Sequence, residues 1–184
     1  MKRLIDIAVA LVALLVLAPL LLLVAVAIAL ESGRPVLFQQ TRLGLNGRAF
    51  NMLKFRSMRQ DAAATGPYFT AANDTRITRV GRFIRRTSMD ELPQLINVLR
   101  GDMSLVGPRP DVPAQRSSYS DADWAQRCSV RPGITGLAQA LLRSEATEAQ
   151  RLALDLSYTR EASVWVDLKI MGLTVARLSG KGSN

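Results

Sequence analysis

Asp90 and Glu91 stand side by side in the run Thr87-Ser88-Met89-Asp90-Glu91-Leu92-Pro93-Gln94-Leu95, directly after a segment that carries five arginines. An ionised aspartate can attack phosphorus and form an acyl phosphate. A neighbouring glutamate can act as general base or help to hold a metal. Phosphate esters are already anionic, so attack by a second anion requires charge neutralisation. Mg²⁺ suits that task, bound by one or two carboxylates together with phosphate oxygens. Lys54, Arg56, Arg86, Arg109 and Arg131 are candidate phosphate clamps, arginine being the better bidentate partner. The same residues have a plainer reading. An adjacent Asp-Glu pair is common at helix starts, and Lys54 and Arg56, two apart on one strand face, also read as solvated cations.

Two local arrangements fit the carboxylates. Ser88 and Glu91 have the S-x-x-E spacing of a capping box. Alternatively, Pro93 takes the first helical position and leaves Asp90 and Glu91 just outside the N-terminus. Proline sits awkwardly at the fifth position of a capping-box helix, which favours the second. Either way the positive end of the helix is expected to keep the carboxylates ionised and to favour bound phosphate.

The composition removes other chemistries. The 184 residues contain no His, so Ser-His-Asp triads, Cys-His dyads and His-based metal sites are excluded within this chain. The one Cys, Cys128, forms no internal disulfide and reads as a packed thiol. Asp121-Ala122-Asp123 has the D-x-D pattern of many nucleotide-sugar enzymes, but Trp124 begins a helix and the aspartates read as its cap. No G-x-G-x-x-G and no P-loop is present.

The elements that must position these groups begin with an apolar segment. Residues Ile7 to Leu30 carry no charged or hydrogen-bonding side chain, and the remainder is roughly 40% apolar, ordinary for a folded domain. The run is too long for a signal-peptide core and has no small-x-small cleavage site, so it reads as a membrane helix. Pro19 predicts a kink near Ala18-Pro19. A straight span and a re-entrant hairpin both fit. Lys2 and Arg3 precede the segment, while Arg34, Arg42, Arg48, Lys54 and Arg56 follow it. Cations on both flanks favour two cytoplasmic ends, which only re-entry satisfies. Asp6 is expected to stay hydrated at the boundary.

Asn46-Gly47 between Val36–Gly44 and Arg48–Arg56 predicts a β-hairpin, with Phe50, Met52, Lys54 and Arg56 on one face. Gln60–Asn73 reads as a loop. From Asp74, a plausible N-cap, Ile77, Val80 and Ile84 recur at helical spacing among Arg76, Arg79, Arg82, Arg85 and Arg86. This predicts a basic amphipathic helix facing anionic headgroups, weakened by Gly81. Leu92–Arg100 is a helix ended by Gly101. Gly107-Pro108-Arg109-Pro110 and Arg131-Pro132-Gly133-Ile134-Thr135-Gly136 are rigid turns. Helix resumes from Glu145, with Val164, Leu168, Met171, Val175 and Leu178 as an apolar stripe whose default role is core packing, a partial membrane-surface role being the alternative. The fold class is α/β and mostly helical. It comprises a Pro-broken membrane anchor (1–30), one compact catalytic domain (31–178) built of a small hairpin and interfacial amphipathic helices, and a frayed tail (179–184).

Taken together, the blocks GRPVLFQQTRLGLNGRAFNMLKFRSM, DTRITRVGRFIRRTSMDELPQLINVLRGDMSLVGPRP, RPGITGLAQ and DLSYTREASVWVDLKIM, behind a Pro-broken anchor, resemble the bacterial sugar transferases of the monotopic phosphoglycosyl transferase superfamily, in their small form. The resemblance implies transfer of a phosphosugar from a UDP-sugar to polyprenyl (undecaprenyl) phosphate with release of UMP. It places this first membrane step of glycoconjugate and exopolysaccharide synthesis at the cytoplasmic face of the bacterial inner membrane. It implies Asp90 as the nucleophile of a covalent phosphosugar intermediate, Glu91 as its assistant, and Mg²⁺ as cofactor at Asp90. Re-entry breaking at Ala18-Pro19 also follows, as do the bilayer and downstream glycosyltransferases, but not nucleic acid, as partners. Relatives commonly have Ser where Ala18 stands, and are often more aromatic in the last block. The net charge of +9 fits an alternative from another class equally well: a non-enzymatic anchored basic module binding anionic lipid or nucleic acid.

Overall fold

The computed structural model describes residues 1–62, 74–142 and 147–178. The Gln60–Asn73 loop beyond Ala62 and the expected frayed tail lie outside the described residues. The architecture is mostly helical, with two small two-stranded sheets.

Helix α1 (Lys2–Ser32) contains Pro19 and runs two residues past the expected boundary. Its first third packs on the domain through Ala10, Ala13 and Leu14, and its last third through Val24 and Ile28. Between them Leu11, Val12, Leu15, Val16, Leu22 and Leu23 are exposed, as are Ala18 and Pro19. Both ends are tied by polar contacts to the same folded unit. At the N-terminal end, Lys2 pairs with Asp167 and Arg3 donates to the Leu99 carbonyl at 3.2 Å. Asp6 is not hydrated, contrary to expectation. It is 4% exposed and accepts from Ser104 Oγ at 2.9 Å and Leu105 N at 3.2 Å, because a buried carboxylate must find donors in the protein. At the other end, Glu31 accepts from the backbone N–H groups of Arg79 and Val80 at 2.7 and 2.9 Å.

The hairpin forms as expected. Strands β1 (Leu37–Leu43) and β2 (Ala49–Phe55) pair antiparallel from Leu37↔Phe55 to Leu43↔Ala49. Asn46 and Gly47 have φ of 54° and 71°, the left-handed conformation that Asn and Gly tolerate at a tight turn. The basic helix, α2 (Arg79–Arg86), starts later than the apolar spacing suggests. Thr78, not Asp74, is its N-cap, accepting from Gly81 N at 2.8 Å. Asp74 instead grips the Arg76 guanidinium and N–H. Gly81 serves close packing: a Cβ there would sit 1.9 Å from the Ser57 carbonyl oxygen.

Helix α3 (Gln94–Arg100), closed by Gly101 at φ 95°, lies between α1 and β2. Asn97, fully buried, staples it to the hairpin: its Oδ1 accepts from Leu53 N at 2.9 Å and its Nδ2 donates to the Asn51 carbonyl at 2.8 Å. Two three-residue strands, β3 (Ser104–Val106) and β4 (Gly133–Thr135), pair in parallel. Sequence reading took the second for a turn, since three residues are too few to show alternation. Helices α4 (Asp121–Arg127), α5 (Leu137–Leu142), α6 (Glu148–Glu161) and α7 (Val164–Leu178) complete the unit. Ser120 caps α4, so Asp121 and Asp123 occupy its first turn. Cys128 is buried, and burial pushes its thiol pKa up.

The main core joins Met52, Leu95, Val98, Met103, Val106 and Ile170; a second cluster joins Val24, Ile28, Phe55 and Ile84. The expected stripe on α7 packs inward only in part, through Met171. Asp167 and Ile170 are buried, whereas Trp165, Leu168 and Val175 are 81, 47 and 64% exposed. Tyr158 donates to Asp167 Oδ1 at 2.7 Å, which satisfies the buried carboxylate on that face.

Candidate active site

Ser88 leaves α2 in the left-handed conformation, φ 58°, and turns the chain into a short 3₁₀ turn, Met89–Glu91. The capping box does not form, because Ser88 makes no side-chain cap bond. Leu92 and Pro93 continue in right-handed helical conformation into α3. The carboxylates therefore sit just before the helix, close to the second of the two expected arrangements.

Three segments distant in sequence meet there. Lys54 Nζ, from β2, donates to Glu91 Oε1 at 2.7 Å, and Arg109 Nη2, from the Pro108–Pro110 turn, donates to the same oxygen at 3.0 Å. These two cations hold the Glu91 carboxyl down at about 2 against the opposing effect of burial. Asp90 behaves differently. Burial, and then the neighbouring Glu91 charge, raises its pKa, against the pull of Lys54 and Arg85. The helix terminus does not keep it as readily ionised as expected, because desolvation disfavours the anion more than the local dipole favours it. Burial also lowers the Lys54 pKa, with Glu91 opposing. Among the described residues, Asp90 makes no ion pair.

The other expected clamps lie elsewhere. Arg56 Nη2 donates to the Ser32 and Gly33 carbonyls at 2.8 and 2.6 Å, closing the C-terminal end of α1, so Lys54 and Arg56 do not act as a pair. Arg131 Nε donates to the Gly101 carbonyl at 2.9 Å. Arg86 is exposed on α2; it is Arg85 whose charge acts on Asp90. Helical spacing alone did not separate two consecutive arginines.

A cavity of about 580 Å³ opens beside Glu91, with Ser88, Glu91, Leu95, Arg109, Gln139 and Met171 in its wall. That volume is in the range of ligand sites. The Gln139 amide is buried there without a hydrogen-bond partner among the described residues. Neither Gln139 nor Arg85 was singled out from the sequence; an amide with free donors and acceptors becomes visible only once its neighbours are known.

No group of three or more metal-ligating side chains occurs among the described residues. The donor set fits Mg²⁺ nonetheless. That ion takes one or two carboxylates and completes its shell with water and substrate phosphate, and Asp90 is a carboxylate not engaged by either cation that grips Glu91.

The site thus joins an adjacent aspartate and glutamate, two cations on the glutamate and a cavity at its edge, within a mostly helical domain that carries one long apolar helix. The chain belongs to the bacterial sugar transferase family, which it matches over residues 1–181. It is 50% identical over 188 residues to a UDP-glucose:undecaprenyl-phosphate glucose-1-phosphate transferase of Caulobacter vibrioides, covering 96% of this chain and 69% of that protein. It is 48% identical over 187 residues to an undecaprenyl-phosphate glucose phosphotransferase of Komagataeibacter xylinus, of which it spans only 35%. It is also 48% identical over 195 residues to the exopolysaccharide production protein PSS of Rhizobium leguminosarum bv. phaseoli, covering 98% of it.

Proposed function

We propose that this chain moves a phosphosugar from a UDP-sugar to a polyprenyl phosphate, with Asp90 as nucleophile. The observation that carries the reading is the division of labour between adjacent carboxylates. Glu91, at the edge of the cavity, accepts from both Lys54 and Arg109 through Oε1, while among the described residues the adjacent Asp90 is left without an ion pair. Asp90 attacks the sugar-bearing phosphorus of the donor. The bond to the bridging oxygen breaks, UMP leaves, and an aspartyl-phosphosugar remains. The polyprenyl phosphate oxygen then attacks the same phosphorus and frees Asp90.

A carboxyl held near 2 is a weak base, and a phosphate monoester with a second pKa of about 6 is largely dianionic at neutral pH. Glu91 therefore serves to organise Lys54 and Arg109 rather than to take a proton. Mg²⁺ would be held by Asp90 and would supply charge neutralisation between the anions. The relatives' names favour UDP-glucose as donor and undecaprenyl phosphate as acceptor.

The membrane half of the reading is that α1 enters and leaves by the cytoplasmic face, breaking near Pro19. Its support is that Lys2, Arg3 and Asp6 at one end and Glu31 and Ser32 at the other grip the same domain, with exposed leucines and valines between. Cysteines placed at both ends are expected to label from the cytoplasmic side only; periplasmic labelling of the N-terminus overturns re-entry.

The direct test is UMP release from UDP-glucose with polyprenyl phosphate. Release is expected with Mg²⁺ and should be lost with EDTA. A chain that only binds anionic lipid releases none.

The attack needs ionised Asp90, so turnover should fall as pH drops through its raised pKa, starting above the ordinary aspartate range near 4. Glu91→Gln removes a charge that raises that pKa and should move the acid limb of residual activity down. Lys54→Met removes a charge that lowers it and should move the limb up. Single-turnover rates against pH give both shifts; coincident profiles for the three proteins would remove Asp90 as the titrating group.

A further inference from the structure

Arg109 is the only cation at the pair that comes from an irregular turn, and that turn is held by unusual means. Four consecutive carbonyls in it each receive a donor. Gly133 N donates to Pro108 O at 3.0 Å, Arg127 Nη2 to Arg109 O at 2.7 Å, Arg42 Nη1 to Pro110 O at 2.9 Å, and Leu43 N to Asp111 O at 2.9 Å. The two prolines supply no N–H, so the turn cannot hold itself through those positions.

Arg127 supplies the contact to the Arg109 carbonyl itself, from a buried position. It ends α4, its side chain is 4% exposed, and it faces two carboxylates. Its Nη1 pairs with Asp111, its Nε donates to Asp155 Oδ2 at 3.0 Å, and its guanidinium lies 5.4 Å from the Tyr119 ring centroid. The fork therefore joins α4, α6 and the Arg109 turn. A buried cation with two carboxylates is a poor device for stability alone, since apolar residues of equal volume often do as well. It is a good device for fixing one backbone atom, because a planar fork with several donors sets direction as well as distance.

We propose that Arg127 is a positioning residue for the transfer reaction. By gripping the Arg109 carbonyl it fixes where the Arg109 guanidinium meets Glu91, and Asp155 and Asp111 hold Arg127 in register for that task. The inference rests on the proposed function for its kinetic consequence, but not for its structural one. Lysine keeps the charge of Arg127 but cannot serve the Arg109 carbonyl and both carboxylates in one fixed geometry. Asparagine at 155 keeps the volume and an acceptor oxygen but releases the charge that orients the fork.

Two measurements test it. In a double-mutant cycle on UMP release, Arg127→Lys should lower kcat about tenfold in the wild-type background and less than about twofold in Arg109→Gln, since residues acting through one another are not additive. Melting temperatures identify the folded variants. If Arg127→Lys does not fold, Asp155→Asn is read in the same cycle, with a smaller loss that again disappears in Arg109→Gln. Equal losses in both backgrounds overturn the proposal. The second measurement needs no turnover. The ¹⁵N guanidinium resonances of Arg109, assigned by comparison with Arg109→Gln, should show hindered rotation in the wild type and free averaging in either variant. Unchanged Arg109 resonances in a folded variant also overturn it. Absence of UMP release from the wild type counts against the proposed reaction alone, and the resonance measurement still decides the role of Arg127.

Discussion

Asp90→Asn is expected to lower UMP release by at least about 10³-fold, the scale on which removal of a covalent nucleophile acts, and to abolish the phosphosugar adduct. Asparagine keeps the shape of the side chain, but its amide cannot displace UMP. The loss should come without unfolding. Asp90 makes no ion pair, Lys54 stays matched by Glu91, and removing a carboxyl whose pKa is raised by burial relieves desolvation instead of exposing a lone cation. Glu91→Gln is the informative contrast, because it leaves Lys54 and Arg109 facing each other without an intervening anion and should lower the melting temperature as well. Acid quenching and peptide mass spectrometry locate the adduct; finding it on another residue, or finding full turnover in Asp90→Asn, removes the nucleophile assignment.

Gly133→Ala is expected to be among the most damaging single-methyl changes. The added Cβ would lie 2.1 Å from Gly107 N, 2.3 Å from Thr135 O and 2.7 Å from Val106 C, all backbone atoms that cannot rotate away. The β3–β4 pair would have to separate. That pair carries the Gly133 N–H that fixes Pro108 and the turn of Arg109. Overpacking typically costs about 1–3 kcal/mol and more when backbone must move, against a total stability of about 5–15 kcal/mol. Thermal unfolding should show a loss of about 3 kcal/mol or more. A melting temperature within about 2 °C of the wild type, on the scale where 1 kcal/mol moves a domain of this size by about 2–8 °C, contradicts the close approach.

Much of this was legible in the residues. Asn46-Gly47 located the hairpin because a two-position requirement for positive φ leaves few choices. Gly101 marked the end of α3 for the same reason. Asp90-Glu91, Lys54 and Arg109 were all named from residue type and spacing. Arg56 and Arg131 were expected as phosphate clamps on charge alone; in the fold each also donates to carbonyls, at the end of α1 and at Gly101. A guanidinium satisfies a helix end as well as it satisfies a phosphate, and sequence does not say which acceptor is nearer. The short parallel strands escaped notice because three residues carry no periodicity, and the α7 stripe splits, Met171 inward and Leu168 and Val175 outward, because Asp167 and Ile170 share the buried side.

The sequence by itself determined the long apolar helix, the hairpin and the adjacent carboxylates. Each is dictated by interactions within a few residues, where hydropathy, turn geometry and spacing act directly. Tertiary structure decided which carboxylate is gripped and which is left unpaired, that both ends of α1 hold one domain, and that Arg127 reaches the turn of Arg109. Those outcomes depend on contacts between residues 16 to 165 positions apart, on burial, and on how many donors compete for one oxygen. None of these quantities exists until the chain has closed on itself.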